Sequence, residues 1–250
     1  MSSETSHKGW LALVGGGEFS FEETLDADEA WVEKLPPGPV GFIPAASGSN
    51  DYPRHFAEYM AEAFQREVET IPIYRARDAR RGRNCERIRD VAAVYLGGGV
   101  TDHLLDALRD TPAAEALAAK LRDGGIVVAI AAAAQAAGRV ARSIFRGGVL
   151  PGLGWLPDAA VEPNFDPRKD RRLRRLMADP GVRWGLGIPA GNAVLVGPDG
   201  VLEVVGTAFR LAGPAGPAGP NTELEVLGDP DFEMPAEEDD GENAENELDE

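Results

Sequence analysis

The stretch 91-VAAVYLGGGVTDHLLDAL-108 decides the fold. It opens with an uninterrupted apolar run, Val91–Leu96, breaks at Gly97, Gly98 and Gly99, and resumes from Thr101 to Leu108 with Leu104, Leu105 and Leu108 at helical spacing. A short apolar run without alternation suits a strand covered on both faces, and a change of period from strand to helix across a glycine turn marks the α/β class.

The same unit repeats outward. Strand-like runs lie at Trp10–Val14, Pro39–Ile43, Glu69–Ile73 and Ile126–Ile130, with helical stretches at Tyr52–Gln65 and Pro112–Arg122 between them. Strand, helix, strand in this order predicts a parallel sheet joined by right-handed crossovers. After Pro151 the pattern changes to a short run at Ala159–Val161, a basic helix over Pro167–Met177, and runs at Trp184–Ile188, Ala193–Val196 and Val201–Val205. The last two are separated by a Gly-Pro-Asp-Gly turn and predict an antiparallel hairpin at the sheet edge.

Charge and composition divide the chain further. Of its 42 acidic residues, twelve fall in 229–250, which leaves 30 against 25 basic residues before that point, a net charge of −5 out of −17. The expected organisation is a tail over 1–8, one domain over 9–211, an Ala/Gly/Pro linker over 212–221, an edge strand over 222–228 and a disordered acidic tail over 229–250. One lone cysteine, Cys85, allows no intramolecular disulfide and lacks the spacing of a metal site, so neither metal nor cofactor is expected. No signal peptide or membrane span is indicated, a cytoplasmic location is expected, and so acidic a chain makes a poor partner for nucleic acid.

Ligands of parallel sheets gather outside the carboxyl ends of the strands. Three turns of small residues fall there: Val14–Phe19, Pro44–Asp51 and Tyr95–Leu105. Glycine either permits the tight turn or lets backbone N–H groups approach an anion, and the candidate cleft residues are Gly15, Gly16, Gly17, Ser47, Gly98, Gly99 and His103.

Taken in order, "LVGGGEF", "GFIPAASG", "VYLGGGVTDHLLDAL", "GGIVVAI", "PGLGWLP" and "GLGIPAGNA" resemble the aspartyl dipeptidase and cyanophycinase family of serine peptidases, over about Gly9 to Phe209. The resemblance implies the class I glutamine-amidotransferase-like fold: a three-layer, flavodoxin-like, mostly parallel sheet with helices on both faces. It also implies a serine nucleophile in a sharp strand-to-helix turn, a histidine base after the "GLG-x-LP" turn, and an acid that orients it. Matched to this chain, those positions hold Ala131, Asn164 and Ala190, with Ala129 and Ala133 in place of the glycines flanking the nucleophile. A methyl group cannot attack a carbonyl and an amide does not shuttle protons near neutral pH.

The resemblance, so altered, implies a catalytically inactive homologue that binds, regulates or assembles. Its candidate partners are a small peptide or acidic ligand in the vestigial cleft, to which Asn164 can offer a hydrogen bond, and a second copy of the chain. The alternative is a hydrolase with a relocated catalytic set, Ser49 with His103, in the same cleft. An amidotransferase reading would require a cysteine at the turn, and Cys85 is elsewhere.

Two local expectations follow. Exchange of the flanking glycines for alanine, in an alanine run, favours helix and predicts that the strained turn has relaxed, with the helix starting before Ala131. The run Arg168–Leu176 reads either as a holder of acidic groups, the chain's own tail included, or as a solvated helix with Leu173 and Leu176 turned inward; the second is preferred.

Overall fold

The computed structural model describes residues 8–212 and 222–228. The expected tail and linker segments 1–7, 213–221 and 229–250 lie outside the described residues. In chain order the elements are β1 (Trp10–Val14), α1 (Leu25–Val32), β2 (Val40–Ile43), α2 (Tyr52–Phe64), β3 (Val68–Thr70), α3 (Ala76–Ala79), α4 (Gly82–Asp90), β4 (Ala93–Leu96), α5 (Thr101–Leu108), α6 (Pro112–Arg122), β5 (Ile126–Ile130) and α7 (Ala132–Ala137). There follow β6 (Gly138–Arg142), β7 (Val149–Pro151), β8 (Leu156–Pro163), α8 (Arg171–Leu176), β9 (Trp184–Ile188), β10 (Ala193–Val196), β11 (Leu202–Val205), β12 (Thr207–Ala212) and β13 (Leu224–Gly228).

These strands form two sheets, one in the order β11-β10-β1-β5-β4-β2-β3 and one in the order β13-β12-β9-β8-β6-β7. Strands β1, β5, β4, β2 and β3 are all parallel, and β10 and β11 add the expected antiparallel hairpin at the edge. Alternate residues of the parallel strands feed opposite layers. Ala12, Val14, Phe42, Tyr95, Val128 and Ile130 pack against Trp31 of α1 and Phe56 and Met60 of α2. Leu11, Leu13, Ile43, Leu96 and Val127 face the other way, onto Ile88, Leu104, Leu117 and one face of the second sheet through Val161 and Leu186. Burial on both sides is why these strands read as unbroken apolar runs, and each large side chain so buried contributes about 1.5–3 kcal/mol.

The second sheet is mixed and was only partly foreshadowed: Ala159–Val161 is the centre of β8, and 222–228 contains the edge strand β13, antiparallel to β12. Its outer face is covered by α8, whose Leu173 and Leu176 are buried with Phe165 and Phe209 while its arginines face outward. The preferred reading of the basic run therefore holds, with the helix shortened to 171–176 after a 3-10 turn at Pro167–Lys169.

Below the first sheet, Asp28 is wholly buried and accepts hydrogen bonds from the Thr24 hydroxyl (2.8 Å), the Trp31 indole N–H (2.8 Å) and the Tyr59 hydroxyl (2.9 Å). Burial pushes its carboxyl up to about 6 even though all three bonds favour the charged form.

Candidate functional site

A cleft of about 640 Å³ opens over the carboxyl ends of β1, β5 and β4. Its walls come from the turn after β1 (Gly16 to Ser20), the loop and first turn entering α2 (Ser49, Asp51, Tyr52, His55), Gly98 after β4, Ile130 and Ala131 at the end of β5, and Asn164 after β8. Of the residues proposed from sequence, Gly16, Gly17, Gly98 and Asn164 meet here, together with Ala131.

At the apex of the turn between β5 and α7, Ala131 has φ 50° and ψ −111°. This overturns the expectation of a relaxed turn with an earlier helix: α7 starts at Ala132. The reason is the register of the sheet. β5 runs beside β1 up to the pair Val14 and Ile130, the Ala131 N–H continues that ladder to the Val14 carbonyl (2.9 Å), and the Ala131 carbonyl already accepts from Gln135 (3.0 Å). Main-chain bonds on both sides hold the residue between strand and helix, where the helix propensity of alanine has no say. A non-glycine residue in that conformation carries strain on the order of 1–3 kcal/mol. Ala131→Gly is accordingly expected to stabilise the protein by about 1 kcal/mol, after the extra chain entropy of glycine is set against the relief. Chemical denaturation measures this, and a loss of stability would show the turn to be unstrained.

A buried polar chain anchors this turn to β8. Gln135 accepts from the Thr101 hydroxyl (3.1 Å) and donates to Glu162 (3.1 Å), which faces Arg142 at 3.6 Å. Burial pushes the Glu162 carboxyl above its ordinary range, with Arg142 opposing. Two residues later Asn164 adopts φ 48°, a left-handed conformation that asparagine tolerates, with its N–H bonded to the Gly15 carbonyl (2.8 Å). Its side-chain amide lies so close to Gly16 (φ 143°) that a Cβ there would collide with it.

The other proposed residues are placed differently. Gly15 backs the cleft, packed under the carbonyls of Ile188 and Pro189 with its N–H on Asn192 (2.9 Å). Ala190 sits in that same exposed turn and does not line the cleft. Gly99 (φ 141°) lets the β4 turn press on the backbone of Ala46 and Ser47, a structural role. Gly98 lies beside the Tyr52 hydroxyl, and burial pushes the Tyr52 phenol up to about 12.

Ser47 and His103 line a separate cavity, and Ser49 does not. The Ser49 and His103 pairing is therefore not brought together: the loop from Ser47 to Asp51 stands between the two cavities and turns alternate residues to each. The histidine that does reach the cleft is His55 on α2, which is not among the candidates drawn from the sequence. Its Nε2 lies 2.9 Å from the Arg54 guanidinium, which can only donate, and Ser49 Oγ accepts from the backbone N–H groups of Asp51 and Tyr52 (3.2 Å each). Phe19, stacked on Tyr52 at 5.7 Å, and Glu18 were also missed. The cleft wall thus carries the carboxylates of Glu18 and Asp51, the second of them 4.0 Å from the Arg54 guanidinium.

Among the described residues no cluster of His, Cys, Asp or Glu is placed to hold a metal ion, and no helix is long and apolar enough to cross a membrane.

Comparison with known proteins agrees with this architecture. A crystal structure of a peptidase from an acI-B1 Actinobacterium superposes with a TM-score of 0.66 at 21% identity, over 90% of this chain and 98% of its own. A putative Peptidase E protein from Listeria monocytogenes EGD-e gives 0.58 at 16% identity, over 78% of this chain and 97% of its own. No curated protein sequence matches this chain. The family model of Peptidase family S51 matches residues 11–204, most of the described body, and the chain belongs to that family.

Proposed function

We propose that this member of peptidase family S51 binds a small peptide in the cleft without hydrolysing it, and acts as a binding, regulatory or assembly protein. The observation that carries the reading is Ala131: an apex held by the main chain in a strained turn at the mouth of the cleft, bearing only a methyl group. Acyl transfer needs a nucleophile at such a place and a base beside it. Here the facing side chain is the Asn164 amide, which hydrogen-bonds but does not take and return a proton. The two carboxylates in the wall support recognition of a free α-amino group.

The test uses the purified chain beside Ala131→Ser, Asn164→His and the double variant. Each is treated with a fluorophosphonate probe and offered β-aspartyl and Asp-X dipeptides, and binding of the same dipeptides is followed by calorimetry. The unaltered chain is expected to bind them, to leave them intact and to take no label. Turnover that disappears in Ser49→Ala would overturn the reading in favour of a relocated catalytic set.

A further inference from the structure

The second cavity, about 720 Å³, lies over the ends of β2 and β3 rather than over the centre of the sheet. Its lining brings together the loop after β2 (Ser47, Asn50), the segment after β3 (Tyr74, Arg75), Arg77 and Arg81 around α3, and His103 on α5. Three guanidinium groups and an imidazole converge there in a chain whose overall charge is −17.

The two carboxylates in its wall are already committed. Asp78 is buried; one of its oxygens accepts from the backbone N–H groups of Tyr74 (3.3 Å) and Arg75 (3.2 Å), and the other faces Arg81 at 3.3 Å and Arg77 at 3.9 Å. Asp106 is gripped by both oxygens from Arg146, at 2.9 and 2.7 Å. Among the described residues the Arg75 guanidinium has no acidic partner, and the His103 ring lies beside the Phe145 ring, at 5.2 Å. The wall therefore holds more positive than negative charge, with the Tyr74 hydroxyl as a further donor, while the Ser47 hydroxyl is already given to the Pro44 carbonyl (3.3 Å). A guanidinium without a carboxylate, in a concave site of ligand size at the carboxyl ends of parallel strands, is what a planar or tetrahedral oxyanion requires.

We propose that this cavity is a binding site for a small molecule bearing a phosphate or carboxylate group, held by Arg75 with Arg77, Arg81 and His103. The site is distinct from the peptide cleft and does not depend on how that cleft is read. The loop 47–51 is the partition between them: Ser47, Gly48 and Asn50 face the anion cavity, and Ser49 and Asp51 face the cleft.

The chain has three histidines, His7, His55 and His103, so imidazole proton NMR reports each cavity separately. The full-length protein is titrated with inorganic phosphate and, in parallel, with succinate, against sodium chloride of matched ionic strength. Saturable movement of the His103 signals with phosphate, succinate or both, while His55 stays in place, is expected, and the tighter of the two identifies the preferred anion. Arg75→Gln, at an exposed position without an ion pair to lose, should weaken that binding about tenfold, the effect of one charge-assisted contact. The proposal fails if neither anion moves His103 saturably, if His55 moves with it as it would under general screening, or if Arg75→Gln binds as tightly as the unaltered chain.

Discussion

Gly15→Ala is expected to destabilise the protein by about 3 kcal/mol, the upper range for forced overpacking, and to lower Tm by roughly 10 °C. The added methyl would overlap the carbonyl oxygens of Pro189 and Ile188, both main chain and therefore unable to swing aside. Relief requires the turn between β9 and β10 to move off β1. That movement breaks the bonds from Gly15 N–H to Asn192 (2.9 Å) and from Gly191 N–H to Gly16 (2.9 Å) together. The loss therefore reaches the cleft, and any dipeptide binding should fall with it. Gly82→Ala is the control: a Cβ there meets nothing within 4 Å, and this helical position should gain slightly from alanine. Equal losses in the two variants would show that close approach at Gly15 is not what demands glycine.

The second large effect concerns pH. The Asp28 carboxyl titrates at about 6 in the folded protein and at an ordinary 3.8 when exposed on unfolding. Between those values the folded state holds a proton that the unfolded state has released, so stability falls as pH rises through this window and levels off above it. The contribution is about 3 kcal/mol in total, from a shift of roughly two pH units. Other carboxylates titrate over the same range, so the reading is a comparison with Asp28→Asn. The asparagine can offer its oxygen to Trp31 and its NH₂ to the hydroxyls of Thr24 and Tyr59, which can turn to accept. Urea unfolding at pH 4 and pH 7 should show the variant gaining about 2 kcal/mol on the unaltered chain as pH rises, the rest of the effect lying below pH 4. A difference between the two proteins that does not change with pH would mean that burial does not govern this carboxyl.

What the sequence disclosed tracks what determines each element. The parallel strands were legible because burial on both faces leaves no polar residue to interrupt them, and α5 and α6 begin and end as their spacing predicts. Helix α4 was not, since "GRNCERIRD" buries only Asn84, Cys85 and Ile88 and offers too narrow an apolar stripe to stand out among its charges. Strand β6 directly follows α7 at Gly138 with no turn between them to mark its start, and it went unread. β12, adjoining the Ala/Gly/Pro segment, went unread as well.

The site was legible as a set of turns and illegible as an enclosure. Gly16, Gly98, Ala131 and Asn164 could be matched to a family pattern, but which histidine meets which serine depends on the loop 47–51, whose alternation between two cavities is a tertiary fact. The turn at Ala131 was misjudged for a related reason. Local propensity was weighed without the ladder between β1 and β5 that overrides it.

That ladder has a wider meaning for how such a site changes over time. Main-chain bonds to Val14 and Gln135 hold the bend at Ala131 without calling on its side chain, so an unbranched replacement there need not disturb the turn, and the left-handed backbone of Asn164 is one that histidine also accepts. Chemistry at these two points can be gained or given up by single replacements while the architecture stands still.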